Sequence, residues 1–92
     1  MNETVKIKKE VVFRSVAGEY MLIPVGETVG EYNGIFSMTE VGAEIWKAIE
    51  NGLDEEQIVK RIEQDYEIDG KTAKADVEEF IEKLCGFGIV EK

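Results

Sequence analysis

The chain is 92 residues long and 43% hydrophobic, with one cysteine, no histidine and a formal charge of −9 from twenty acidic and eleven basic residues. Its length and composition fit one globular domain spanning 1–92. A lone Cys85 excludes an internal disulfide, and the missing histidine removes the commonest metal ligand and the usual general base. The acid excess repels phosphate backbones, the N-terminus lacks a signal-like apolar stretch, and no apolar run approaches the roughly 20 residues of a bilayer span. These features predict a cytoplasmic protein without nucleic-acid or membrane partners.

In chain order, residues 3–12 alternate weakly and read as an edge strand or a loose arm. Val11 to Val16 is rich in β-branched and aromatic residues, Ala17-Gly18-Glu19 supplies a turn, and Glu19 to Val25 is its hairpin partner. Pro24 cannot donate a ladder bond, so it marks the strand's end or an outward edge. Residues 26–30 are polar and glycine-bearing and read as a loop. Tyr32 to Ser37 (YNGIFS) reads as a short third strand, although Asn33-Gly34 also suits a tight turn.

The helices carry stronger signals. Thr39 is a good N-cap, with Met38 before it as a staple residue. Val41, Ile45, Ala48 and Ile49 recur at helical spacing, and Trp46 widens that stripe. Gly42 costs the helix about 1 kcal/mol relative to alanine, which points to a close packing contact there. Asn51-Gly52 closes the helix. Asp54-Glu55-Glu56-Gln57 is a capping box opening a second helix with Ile58, Val59, Ile62 and Tyr66 as its apolar stripe. Asp69 caps a third helix bearing Ala73, Val77, Phe80, Ile81 and Leu84, which Gly86 and Gly88 stop before a short apolar tail. The order predicts an α+β, winged-helix-like fold: a three-stranded antiparallel sheet, then three helices.

The side chains that carry chemistry are few. Cys85 is the one plausible nucleophile, without a histidine to activate it, and its place at the apolar end of the third helix reads as structural burial. Neighbouring carboxylates such as Glu55 and Glu56 suit a solvated helix start. Asp65 to Gly70 only faintly echoes a calcium loop, and a loop-and-cap role is the stronger reading. No catalytic residue, metal site or cofactor site is predicted. As a DNA-reading helix, the third helix offers Lys71, Lys74 and Lys83, cancelled by Asp76, Glu78, Glu79 and Glu82. A winged-helix DNA-binding regulator is therefore the alternative. Peptide recognition remains, with an edge strand beside an amphipathic helix forming a groove to which an extended segment adds as another strand. Ile35 and Phe36 either line such a groove or belong to the core.

Several of these pieces, in order, resemble the PqqD family of RiPP recognition elements. They are Met38-Thr39-Glu40-Val41-Gly42, Ile45-Trp46, Asn51-Gly52, Tyr66-Glu67-Ile68-Asp69, Ala73 with Asp76-Val77, and Gly88-Ile89. Arg14 and the Gly18-Glu19-Tyr20 turn continue the likeness into the N-terminal half. Met38, Thr39 and Asn51 stand where the family pattern has leucine, asparagine and aspartate. The resemblance implies a non-catalytic adaptor without cofactors. Such an adaptor binds the leader of a ribosomally made precursor peptide and presents it to a modifying enzyme on a separate chain, often a radical S-adenosylmethionine protein. It also implies a leader strand antiparallel to the third strand. The groove would use Tyr32, Ile35, Phe36 and Ser37, with some of Asp76, Val77, Phe80, Lys83 and Leu84 from the third helix. Monomers and domain-swapped dimers are both compatible with it.

Overall fold

The computed structural model describes residues 5–25 and 35–92. The Gly26 to Gly30 loop and the first part of the Tyr32 to Ser37 strand lie outside them. β1 (Lys6–Ile7), β2 (Val11–Val16), β3 (Glu19–Pro24) and β4 (Phe36–Met38) are followed by α1 (Glu40–Glu50), α2 (Glu55–Tyr66), α3 (Gly70–Gly86) and β5 (Val90–Glu91). The antiparallel sheet runs β2-β3-β4, so the α+β expectation of three strands and then three helices holds.

β2 and β3 form a hairpin in which Val16 faces Glu19 across Ala17 and Gly18. Both turn residues have positive φ, 52° and 81°, the requirement of the turn whose twist matches that of the strands. β3 ends at Pro24, as the missing N–H requires. β4 pairs with β3 through Tyr20–Met38, Met21–Ser37 and Leu22–Phe36. Its described part is thus displaced toward the helix relative to the 32–37 expected, because Met38 stays in the ladder until Thr39 turns the chain.

Each helix starts where the sequence places a cap. Thr39 Oγ1 accepts from the Gly42 N–H at 3.2 Å. Asp54 and Gln57 exchange reciprocal bonds of 2.8 and 2.9 Å. Asp69 accepts from the Thr72 N–H at 2.7 Å, so the loop-and-cap role of the 65–70 stretch is the one that forms. α1 and α3 end alike. The N–H groups of Gly52 and Leu53 return to Ile49 and Ala48, and those of Gly88 and Ile89 to Cys85 and Leu84. Gly52 and Gly88 hold φ of 82° and 76° in these left-handed closures. Gly86, by contrast, remains helical.

The core gathers between sheet and helices. Trp46, Ile45, Ala48 and Ile49 of α1 meet Ile58 and Ile62 of α2, Ala73, Val77, Ile81 and Leu84 of α3, and Leu22 and Phe36 of the sheet. A second, two-stranded sheet closes the molecule, with β1 and β5 pairing through Lys6–Glu91 and Ile7–Val90. That pairing joins the N-terminal arm to the C-terminal tail and keeps Val5, Ile89 and Val90 buried. Cys85 departs from its expected burial and is exposed. The inward stripe of α3 is Ala73, Val77, Ile81 and Leu84, and one further residue rotates the chain by about 100°, out of the core.

Two outcomes test this description. Ala17 pays for a left-handed backbone that asparagine or glycine adopts more readily. Ala17→Asn should therefore raise stability by about 0.5–1 kcal/mol, an increase of roughly 4 °C in the melting midpoint followed by circular dichroism. Hydrogen bonding to Thr72 lowers the Asp69 pKa below its usual value. A depressed carboxylate pKa contributes stability that is present above the unfolded-state value of about 3.9 and lost as pH falls through the folded one. Asp69→Asn should accordingly lessen the loss of urea resistance on acidification from neutral pH.

Candidate functional site

β4 is the end strand of its sheet, and among the described residues no strand pairs with its outer edge. An open edge presents backbone N–H and C=O groups able to pair with another chain. The pleat sets neighbouring residues on opposite faces. Phe36 points inward and is 6% exposed, whereas Ile35, on the other face, is 52% exposed. Ser37 is exposed and Met38 half-buried.

An aromatic wall stands beside this edge. The Phe36 ring meets the edge of Phe80 from α3 at 5.8 Å and of Phe87, the residue capping α3, at 5.0 Å. These edge-to-face contacts fix the spacing between β4 and the last turns of α3. Phe87 remains 43% exposed, so the wall ends in an apolar surface open to solvent.

Toward the start of α1 the wall gives way to a depression of about 250 Å³. Val41, Gly42, Ile45 and Phe80 contribute to its lining, together with Thr39, Asp76, Glu79 and Lys83. Gly42 makes this closeness possible. A Cβ there would lie 2.8 Å from Phe80 Cε1 and 3.1 Å from Met38 Cβ. The mid-helix glycine is thus the packing contact its helix cost implied.

The stripe Asp76, Glu79, Phe80, Lys83 advances by three, one and three residues, which keeps it on one face of α3. Glu79 pairs with Lys83 at 3.4 Å, both side chains being well exposed, so the pair contributes little stability. Asp76 has no ion-pair partner among the described residues.

The structure brings Phe36, Asp76, Phe80 and Lys83 together, with Ser37 on the adjoining edge. It places Val77 and Leu84 elsewhere, since both are 0% exposed in the core. Their rotation follows from packing against α1 and α2, and Glu79 takes a place on the groove face instead. Tyr32 lies outside the described residues. The wall of Thr39, Val41 and Ile45 was not anticipated, although Gly42 signals a close neighbour. Phe87 reads in the sequence as part of an apolar tail, and the glycines on either side of it were the available hint of an aromatic held at a helix end. Among the described residues the groove offers backbone edge, aromatic surface, the carboxylates of Asp76 and Glu79 and the Lys83 amine.

A family model described as "Coenzyme PQQ synthesis protein D (PqqD)" matches residues 18–90. The solved structure of TbiB1 in complex with the TbiA(beta) leader peptide is similar over 94% of each chain, with a TM-score of 0.75 and 28% sequence identity. No match was found among curated proteins.

Replacing Gly42 should test the close approach. Gly42→Ala gains about 1 kcal/mol of helix propensity, but overpacking typically costs about 1–3 kcal/mol. The expected net result is a loss of roughly 1 kcal/mol in urea unfolding, accompanied by shifted Phe80 ring resonances.

Proposed function

The chain belongs to the PqqD family, and from that premise we propose that it is a non-catalytic adaptor that binds the leader of a ribosomally made precursor peptide. The leader adds as a strand to the open edge of β4, and the adaptor presents it to a modifying enzyme on a separate chain. The observation that carries this reading is the edge of β4, which pairs with no strand among the described residues, lying beside the wall formed by Phe36, Phe80 and Phe87. Strand addition draws affinity from main-chain hydrogen bonds and selectivity from pockets that take alternate side chains. The likeness to TbiB1 supports the same reading, because that protein is seen in complex with a leader peptide.

Within this reading the residues fall into distinct roles. The backbone of 35–38 offers the ladder, and Phe80 with Phe36 forms the apolar floor. Asp76 and Lys83 face the incoming chain, while Val77 and Leu84 support the helix from beneath. Ile35 extends the edge at its N-terminal end. The enzyme served is of the radical S-adenosylmethionine type and acts with this adaptor in the cytoplasm. No helix among the described residues is long and apolar enough to cross a membrane. A DNA-reading role is not favoured, since the acids along α3 oppose a phosphate backbone.

The test is an amide NMR titration with the leader segment of a small precursor encoded beside this gene. Shifts should concentrate on residues 35–38 and along α3 from Asp76 to Phe87. Phe80→Ala should weaken binding roughly tenfold, in the range of a modest interface anchor, while Val16→Ala at the hairpin tip leaves it unchanged. Shifts confined to the hairpin, or none with any neighbouring leader, would sink the proposal.

A further inference from the structure

We propose that the peptide held on β4 carries a long basic side chain opposite Met38 and an apolar side chain two residues later, opposite Phe36. Read from its N-terminus, the segment has the order basic, any residue, apolar. This inference rests on the leader-binding reading above and specifies its substrate class.

The direction comes from how α3 lies against β4. Phe80 and Met38, at the end of β4, both lie against Gly42, and Asp76 precedes Phe80 by one helical turn. Phe87, which caps α3, touches Phe36 at the start of β4. The helix therefore runs opposite to the strand. A peptide added antiparallel to β4, the somewhat more stable ladder, passes from the Asp76 end to the Phe87 end. The span from Asp76 to Lys83 is about 10 Å at 1.5 Å per residue, matching the roughly 10 Å of a three-residue strand. Within that length, two peptide side chains face the groove, with one residue between them pointing away.

The two ends differ in chemistry. At the Met38 end, Val41 and Phe80 offer apolar surface beneath the carboxylates of Asp76 and Glu79. That combination suits a lysine or arginine, whose aliphatic stem lies on the apolar surface while its cation reaches the acids. Lys83 offsets only one of the two charges, since it pairs with Glu79 and leaves Asp76 without an ion-pair partner among the described residues. The chain as a whole, at −9, adds to the attraction. At the Phe36 end Phe87 is 43% exposed, and an apolar side chain there would remove part of that surface from water.

The experiment selects short random peptides displayed on phage against the wild-type protein and against Asp76→Lys in parallel. Enriched peptides are then mapped by amide shifts. Wild type should enrich lysine or arginine two positions before leucine, isoleucine, valine or phenylalanine. Asp76→Lys should retain the apolar position, lose the basic preference, and bind the wild-type peptides about threefold more weakly at low salt. Peptides that shift residues 35–38 but show no basic preference, or show an equal one on both proteins, would overturn this inference and leave strand addition standing. If no enriched peptide shifts residues 35–38, the leader-binding reading itself falls, and the inference with it.

Discussion

The junction at Thr39 is the constraint on which the rest of the molecule depends. β4 ends at Met38 and α1 begins at Glu40, so one capping residue separates an edge strand from the most buried helix. Thr39 satisfies the Gly42 N–H and leaves no loop to absorb movement. Whatever holds α1 therefore also orients β4. Its buried face, with Trp46 and Ile45 each 1% exposed, packs against the sheet and both other helices. An edge strand so anchored takes its position from the core.

Gly42 extends that constraint across the groove. Its missing side chain lets α1 approach Phe80, and Phe80 in turn meets Phe36 on the strand. The same aromatic line reaches Phe87, where the left-handed Gly88 reverses the chain and returns Ile89 to the core. Packing at one helix start and capping at another helix end thus set the width of a single cleft. The β1–β5 pair packs against α3 and α1, so it helps hold the end of α3 in place.

Charge has a small part in stability. Among the described residues the ion pairs lie at 3.4 to 3.8 Å with side chains 31 to 71% exposed, where such pairs are worth little. Carboxylates at helix starts complement the dipole and cap the first turn, as Asp54 and Asp69 do. Burial raises the Tyr66 pKa above its usual value, and the neighbouring carboxylates Glu40 and Glu44 push the same way. The remaining acids keep the surface hostile to phosphate and receptive to cations.

The sequence by itself determined the helices, their caps and the hairpin, because these are set by neighbours within a few residues. Thr39, Asp54-Gln57 and Asp69 bond to groups three positions away, and the apolar stripes at 45–49, 58–62 and 73–84 follow from helical period alone. It also pointed to Gly42 as a packing site, while Phe36 was open between groove and core and Phe80 was one of several α3 residues that the family resemblance implied. Only the tertiary structure decided which face of α3 looks outward. Val77 and Leu84 share an apolar character with Phe80, and rotation against α1 and α2 sends the first two inward and leaves Phe80 at the groove. The same is true of Cys85, one residue past the buried stripe, and of the β1–β5 pair, whose partners are separated by almost the whole chain. Phe87 gains its role from Phe36, some fifty residues earlier, through a contact that no local pattern encodes. Local bonding is written in spacing, whereas long-range packing depends on the shapes of surfaces that exist only once the helices have met.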